Sequence, residues 1–219
     1  MPRNLEIHVE SGRVHVVGSD HAGQRRFGRV ELGHASNVVL QVASDCRVEV
    51  HGDDVELRVE GVAGLEAHVD SGDIAAMNIK GLVEIYTDSA SIALDSVVGN
   101  VEIHSDSGEI EAMRIHGPVE INSDSGDVTV QAMTDRVEIC VDSSDVVLDL
   151  VPRSHARYEV NSDSGVVTIR VPAHVGVRAA LESDSGVVVN DATGGHDVYL
   201  DVSTESGDIT VVAAVPALG

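Results

Sequence analysis

The stretch Val101–Pro118, VEIHSDSGEIEAMRIHGP, is the unit from which most of this chain is built. Its central Asp-Ser-Gly turn returns at regular intervals along the 219 residues. The steps between turns are 18 residues at first and 21 later, and the turn serines are Ser71, Ser89, Ser107, Ser125, Ser143, Ser164, Ser185 and Ser206. A fixed period in this range is typical of solenoid proteins, in which each repeat packs on the next.

Each repeat alternates apolar and polar residues, which indicates β-strands. The triplet Val101-Glu102-Ile103 precedes the turn, Glu109-Ile110 follows it, and Ile115 marks a third apolar point. We therefore predict an all-β fold, a single-stranded parallel β-helix of about ten coils of 18–21 residues, with three short strand segments, or edges, per coil. Crossovers between parallel strands are usually right-handed, so we expect a right-handed coil.

Residues 18 positions apart are expected to lie above one another in neighbouring coils. Two aliphatic interior columns follow from this spacing, Val83, Val101, Val119 and Val137 in one and Ile85, Ile103, Ile121 and Ile139 in the other. Burying one such side chain fully contributes roughly 1.5–3 kcal/mol. Because a coil finds hydrogen-bond partners only in its neighbours, we expect one continuous folding unit.

We expect a single solenoid domain over residues 1–219. Residues 18–36, GSDHAGQRRFGRVELGHAS, break the repeat, so we predict an irregular first coil and loop over 1–36. Regular 18-residue coils are expected over 37–151 and 21-residue coils over 152–213, followed by a tail at 214–219. The extra length of the later coils falls in the third edge.

The chain is strongly acidic, with 14 Lys and Arg against 37 Asp and Glu and a formal net charge of −23. Nucleic acids and anionic membrane surfaces attract clustered positive charge, so we expect neither as a partner. We also expect no membrane span and no signal peptide, because no long apolar run is present and the first residues are strand-like. Cys46 and Cys140 are expected to lie too far apart for a disulfide. These features favour a cytoplasmic location, or the cell surface if an export signal has been removed.

A column of turn aspartates is the first candidate site, and its members are Asp88, Asp106, Asp124 and Asp142. Stacked carboxylates repel one another, and Ca²⁺ or another hard cation between them would relieve the repulsion. The alternative is that these side chains hydrogen-bond the backbone of their own turns, as Asp and Ser do readily. We expect the second arrangement and no resident cofactor.

Histidines supply a second candidate. His51, His68 and His104 share a repeat position, and Tyr86 lies between the last two. A zinc site shared between solenoids is conceivable, but the histidines lack the spacing of zinc ligands. We expect them to be solvated residues that flank the turns.

Two further segments are candidate interaction surfaces. Arg25, Arg26 and Arg29 gather three of the few basic residues in the irregular segment near the N-terminus. Val211 and Val212 lie in an apolar C-terminal stretch that either folds over the last coil or forms a contact surface. An open solenoid end exposes unpaired strand edges, which are a template for association with another chain.

The repeated Ser-Asp-Ser-Gly-Asp-Val/Ile units, as at Ser123–Val128 and Glu205–Ile209, resemble a bacterial and archaeal family of adhesin-like β-strand repeats. The resemblance extends over roughly residues 37–213. It implies a β-solenoid domain of unassigned function, and the family's name implies adhesion at the cell surface. The motif is a turn motif, so it indicates fold more strongly than function.

From these observations we expect a non-enzymatic structural or interaction scaffold that associates with itself or with another protein through its ends or faces. An adhesin-like or cation-dependent binding module is the alternative. An enzyme on a β-helix is a second alternative, although the loops are short and no nucleophile elbow, P-loop or dinucleotide fingerprint is present. We assign no catalytic residue.

Overall fold

A computed structural model describes residues 3–20, 28–132, 134, 136–152 and 155–214 of the chain. In these residues 17 parallel strands form one sheet that coils into a β-solenoid of about nine turns. The strands in the first half are β1 (Arg3–Ser19), β2 (Arg29–Ala43), β3 (Cys46–Glu60), β4 (Gly64–Met77), β5 (Val83–Asp95), β6 (Val101–Ser105), β7 (Ile110–Ile115), β8 (Val119–Ser125) and β9 (Val128–Ala132). The second half contains β10 (Arg136–Ser143), β11 (Val146–Leu150), β12 (Ala156–Ser164), β13 (Val167–Pro172), β14 (Val177–Ser183), β15 (Val188–Asn190), β16 (Val198–Ser206) and β17 (Ile209–Ala214).

The predicted all-β parallel solenoid is confirmed, and the described residues contain no helix long and apolar enough to cross a membrane. The first two edges of each coil are formed either by one long strand that bends at the turn, as in β4, or by two short strands, as in β6 and β7. The third edge is a narrow corner, where the N–H of Val98 donates to the carbonyl of Ile79 and the N–H of His116 donates to the carbonyl of Val97.

The interior columns lie where the repeat places them. Val83, Val101, Val119 and Val137 stack in register, as do the isoleucines two residues later, and all are buried. Alternate residues face outward along the same strands, so the burial pattern of β6 reads buried, half-buried, buried. The core is therefore a stack of aliphatic ladders that runs through the whole solenoid.

The order of coils in space differs from their order in the chain at both ends. We call the level that one coil occupies in the stack a rung. β1 pairs with β2 on one side and with β3 on the other, so the N-terminal strand lies in the second rung. At the other end β16 lies between β12 and β14, and β17 lies between β13 and β15. The terminal rungs are therefore β2 and β14–β15, which are not the ends of the chain.

The N-terminal region is more regular than the predicted irregular first coil and loop. Within residues 1–36, where an irregular first coil is expected, residues 3–19 form the single strand β1 and Arg29 begins β2. Ser11-Gly12 occupies the turn position of this strand, and Gly12 has a φ of 121°. The repeat of the later coils is thus already present at Arg3.

Tyr158 is the largest fully buried side chain, and it stands in the interior column between Val137 and Leu200. Its hydroxyl donates a hydrogen bond of 2.7 Å to the carbonyl oxygen of Thr134. The hydroxyl therefore satisfies a polar group within the core, where an unsatisfied group would be costly.

We expect Tyr158→Phe to lower the free energy of unfolding by about 1 kcal/mol, because it removes a buried hydrogen bond and little volume. Urea unfolding followed by circular dichroism measures the change. Tyr199→Phe is the matched control, because the Tyr199 hydroxyl lies 3.5 Å from Asp201 on the half-buried outer face. Equal losses in the two variants would contradict a special role for the Tyr158 hydroxyl.

Candidate functional site

Two parallel columns of side chains cover the outer face of the first edge. Strands β1, β3, β4, β5 and β6 pair in register, so residues at one repeat position become neighbours about 4.8 Å apart. We call the first column the carboxylate ladder; its members are Glu6, Glu49, Glu66, Glu84 and Glu102. The second column, two residues further along each strand, is the ring ladder; its members are His8, His51, His68, Tyr86 and His104.

The members of the ring ladder stack face to face. Neighbouring ring centroids are 4.8–5.0 Å apart, and the planes of neighbouring rings differ by 5–19°. This spacing is the strand separation itself, so the sheet fixes the distance between rings. The predicted solvated, turn-flanking histidines are therefore half-buried and stacked, and His8 joins them at the N-terminal end.

Each histidine in the ladder also contacts the glutamate two residues before it on its own strand. The Nε2···Oε1 distances are 2.5 Å for His8 and Glu6, 2.8 Å for His51 and Glu49, 3.3 Å for His68 and Glu66, and 3.0 Å for His104 and Glu102. Side chains i and i+2 of a strand lie on the same face, which allows these contacts. The sequence signal is a Glu-x-His triplet that recurs in register with the repeat.

Arg47 relieves part of the repulsion between the stacked carboxylates. Its Nη2 lies 2.8 Å from an oxygen of Glu66 and 2.7 Å from an oxygen of Glu84, so it bridges two rungs. At the far end of the same column, Arg136 contacts Glu138 at 2.7 Å and Arg157 contacts Glu159 at 3.3 Å. The face therefore combines negative columns with a few arginines that span them.

These contacts shift the pKa values of three groups in the two ladders. The hydrogen bond from His8 lowers the pKa of Glu6. Burial raises the pKa of Glu66, but hydrogen bonds from His68 and Arg47 outweigh it, so the net pKa is lowered. Burial and then the negative charges of Glu102, Glu84 and Glu66 raise the pKa of Tyr86. Tyr86 is consequently a neutral ring within the stack at physiological pH.

The stacked rings are poorly arranged for a shared metal ion. A nitrogen lone pair lies in the plane of its ring, so parallel rings direct their lone pairs side by side instead of toward one point. Across the described ranges, no three His, Cys, Asp or Glu side chains are placed to hold a metal ion. The turn aspartates Asp88, Asp106, Asp124 and Asp142 are all exposed.

Serine hydroxyls join the turns of neighbouring coils. The hydroxyl of Ser107 donates to the carbonyl of Asp88, and that of Ser125 donates to the carbonyl of Asp106, at 3.1 and 3.2 Å. The aspartate two residues after the turn serine has a separate role, since Asp145 accepts a bond of 2.8 Å from the N–H of Val166 in the next coil. Hydrogen bonds within the turns are present as well, because the hydroxyls of Ser105 and Ser123 donate to the carbonyls of Ser107 and Ser125. The turns therefore combine bonds within a coil with bonds between neighbouring coils.

A cleft opens where the ring ladder reaches the terminal rung. It has a volume of about 450 Å³. It is lined by His8, Val9, Glu10, Glu31, Leu32, Gly33, His51, Gly52 and Asp53. The edge of β2 forms one wall, so this cleft lies between the outer face and the end of the solenoid.

The other predicted interaction residues are placed as follows. Arg29 begins β2, where it is exposed and lies 3.2 Å from Glu31; Arg25 and Arg26 lie outside the described residues. Val211 is fully buried and Val212 is half-buried in β17, which has β13 and β15 on its two sides. Val211 therefore belongs to the core and not to a contact surface, whereas Val212 lies beyond the pairing with β15 and stays half-buried.

Glu66→Gln is expected to lower the free energy of unfolding by about 1 kcal/mol at pH 7, because it weakens contacts with Arg47 and His68. The pKa of Glu66 is lower in the folded state, so its contribution is present above the unfolded pKa and is lost as pH falls through the folded pKa. Urea unfolding at pH 7 and at about pH 3.5 should show the difference from wild type shrinking. Glu120→Gln, at an exposed position of the same column, is the control, and a constant difference at both pH values would contradict the assignment.

A family described as Toastrack DUF4097 matches residues 3–212. The match extends from β1 into β17 and so includes every rung of the solenoid. No curated protein matches the chain, and no solved structure matches it.

Proposed function

Because the chain belongs to the Toastrack family, whose function is unknown, we propose that it is a structural or interaction scaffold that associates with itself through the ends of its solenoid. This proposal rests mainly on the unpaired strand edges of the two terminal rungs. Among the described residues, β2 pairs only with β1, and β14–β15 pair only with β16–β17 and, at Val177, with Gly194. Each end of the stack therefore offers a strand edge.

The interior columns are also less covered at these ends. Val30, Leu32, Val38 and Leu40 in β2 are only partly buried, as are Ala179 and Leu181 in β14. In the middle of the stack the residues of the same columns are almost completely buried, as Ile85 and Ile103 are. A second rung laid on either end would remove this apolar surface from water and supply the missing hydrogen bonds.

Net charge opposes association at low ionic strength. The formal charge of −23 makes two copies repel each other, and salt screens this repulsion over about 8 Å at 0.15 M and about 3 Å at 1 M. Short-range contacts between strand edges are affected much less. The scaffold should therefore assemble more readily as salt concentration rises.

Size-exclusion chromatography with light scattering tests the proposal. We expect a mass near 23.0 kDa in dilute low-salt buffer, and multiples of that mass at high protein concentration in about 1 M salt. Negative-stain electron microscopy of the same samples should show rods that lengthen with the mass. A single-copy mass under every condition would overturn self-association.

An adhesin-like binding module is the alternative, and the cleft beside His8, Glu31, His51 and Asp53 favours it. Such a module would bind a ligand along the outer face and not at a strand edge. A glycan array with and without added Ca²⁺ would test it. Binding that is lost in His51→Ala but kept in Asn122→Ala, further along the same column, would favour this alternative.

A further inference from the structure

Among the described residues, four of the seven large hydrophobic side chains that are exposed lie on the terminal rungs, and the other three are Val98, Val151 and Val166. Val39 in β2 is 58% exposed, and at the other end Val187, Val188 and Val189 are 62%, 41% and 37% exposed. Isolated exposed valines on a surface are common, but a group on an edge strand invites pairing with another chain. The two groups lie at opposite ends of the solenoid and on its second edge.

The pairing registers place three residues of β2 in the same columns as the three residues of β15. Val38 pairs with Val14, and the column continues through Leu57, Ile74, Ile92, Ile110, Val128, Val146, Val167 and Ile209 to Val188. Because β2 and β15 remain in register with these strands, Val39 and Val189 share the next column, on the outer face. Leu40 and Asn190 share the one after that.

We infer that the partner at each end is a second copy of this chain, joined head to tail with β2 of one copy laid on β14–β15 of the next. This rests on the proposed self-association and specifies its interface. Val38 then stacks on Val188 and Val39 stacks on Val189, in the parallel register that the solenoid uses throughout. Leu40 covers Asn190 in the next interior column.

The first edge adds polar specificity to this junction. Glu31 and Glu182 share the column of the ring ladder, so they face each other with like charge. Arg29 lies two residues before Glu31 and faces Ala180, so it is diagonal to Glu182 and within reach of its long side chain. Arg29 already contacts Glu31 and Glu6 within its own copy, at 3.2 and 3.9 Å. At the junction it would lie among three carboxylates and offset the repulsion between Glu31 and Glu182.

Cysteine cross-linking distinguishes this junction from others. Neighbouring Cα atoms in adjacent strands lie about 4.8 Å apart, which a disulfide can span. In a Cys140→Ser background, Val39→Cys and Val189→Cys are prepared separately, and Cys46 is retained because it is buried. On oxidation in about 1 M salt we expect a disulfide-linked dimer from the mixture and not from either variant alone. A dimer from Val39→Cys alone would indicate head-to-head pairing and overturn the inference.

Lysine substitutions give an independent reading of the same interface. Val39→Lys should weaken association at least tenfold in sedimentation velocity, because it places a charge on the strand edge. Val98→Lys is the matched control, because Val98 is 55% exposed but lies in the middle of the stack, and its association should be unchanged. If wild type associates while the two lysine variants behave alike, this junction is wrong and self-association stands. If wild type stays monomeric at all salt concentrations, both proposals fail.

Discussion

Ile103→Asp is expected to leave the chain unfolded at 25 °C. Ile103 has no exposed surface and stacks between Ile85 and Ile121 in an interior column. An aspartate there has no cation or hydrogen-bond donor within the aliphatic ladder, and burying an unpaired carboxyl costs several kcal/mol even after protonation. Since a whole domain is stable by only about 5–15 kcal/mol, this one change removes a large part of it.

Circular dichroism and thermal unfolding measure this effect. Ile103→Val should remain folded and lose about 1 kcal/mol, because it removes a single methylene group. Asn122→Asp is the control, because Asn122 lies on the outer face and belongs to no core column. The added charge should change the free energy of unfolding by less than about 1 kcal/mol. A folded Ile103→Asp variant with an unchanged midpoint would mean that the strand is displaced by one residue.

Gly126→Ala is expected to lower the free energy of unfolding by about 3 kcal/mol. Gly126 has a φ of 107°, a conformation that residues with a Cβ rarely adopt. A Cβ at this position would lie 2.2 Å from the carbonyl oxygen of Gly108 in the neighbouring coil. Relief of this clash requires the two coils to separate, which weakens the hydrogen bonds between them.

Gly194→Ala is the matched control for this substitution. An added Cβ there has no atom within 4 Å, so we expect a change within about 0.5 kcal/mol. Chemical unfolding of both variants decides the matter. Ala90 occupies the equivalent turn position in an earlier coil, but its φ is not positive. Equal stability of Gly126→Ala and wild type would show that the turn at Gly126 also tolerates a side chain.

The columns of the solenoid could be predicted from sequence because the period determines them. A residue and its counterpart 18 positions later occupy equivalent environments, so Ile85, Ile103 and Ile121 identify their own column. The period does not determine which rungs are neighbours. β1 matches the repeat equally well whether it lies at the end of the stack or beside β3, so its position between β2 and β3 was not predicted.

The site was predicted only in part. His51, His68, Tyr86 and His104 were recognised as one repeat position, but their stacking depends on ring orientation, which a pattern of letters does not contain. The third edge was predicted, but the backbone conformation of the bend that leads into it was not. It is formed by residues in the left-handed region, such as Asn78 and Ser96 with φ of 57° and 58°. Because these residues are not glycines, the sequence does not indicate that they adopt a positive φ.

The exchanged order of the rungs has a mechanical consequence. A pull on the two chain ends loads β1 and β17, and each of these strands is held by a parallel ladder on both sides. Such a strand must be detached from two neighbours at once, whereas a strand on an outer rung has one neighbour to leave. A pulling force is therefore applied to the two strands that are held on both sides, β1 and β17. The strands that are held on one side only, β2 and β14–β15, lie further along the chain and should detach first.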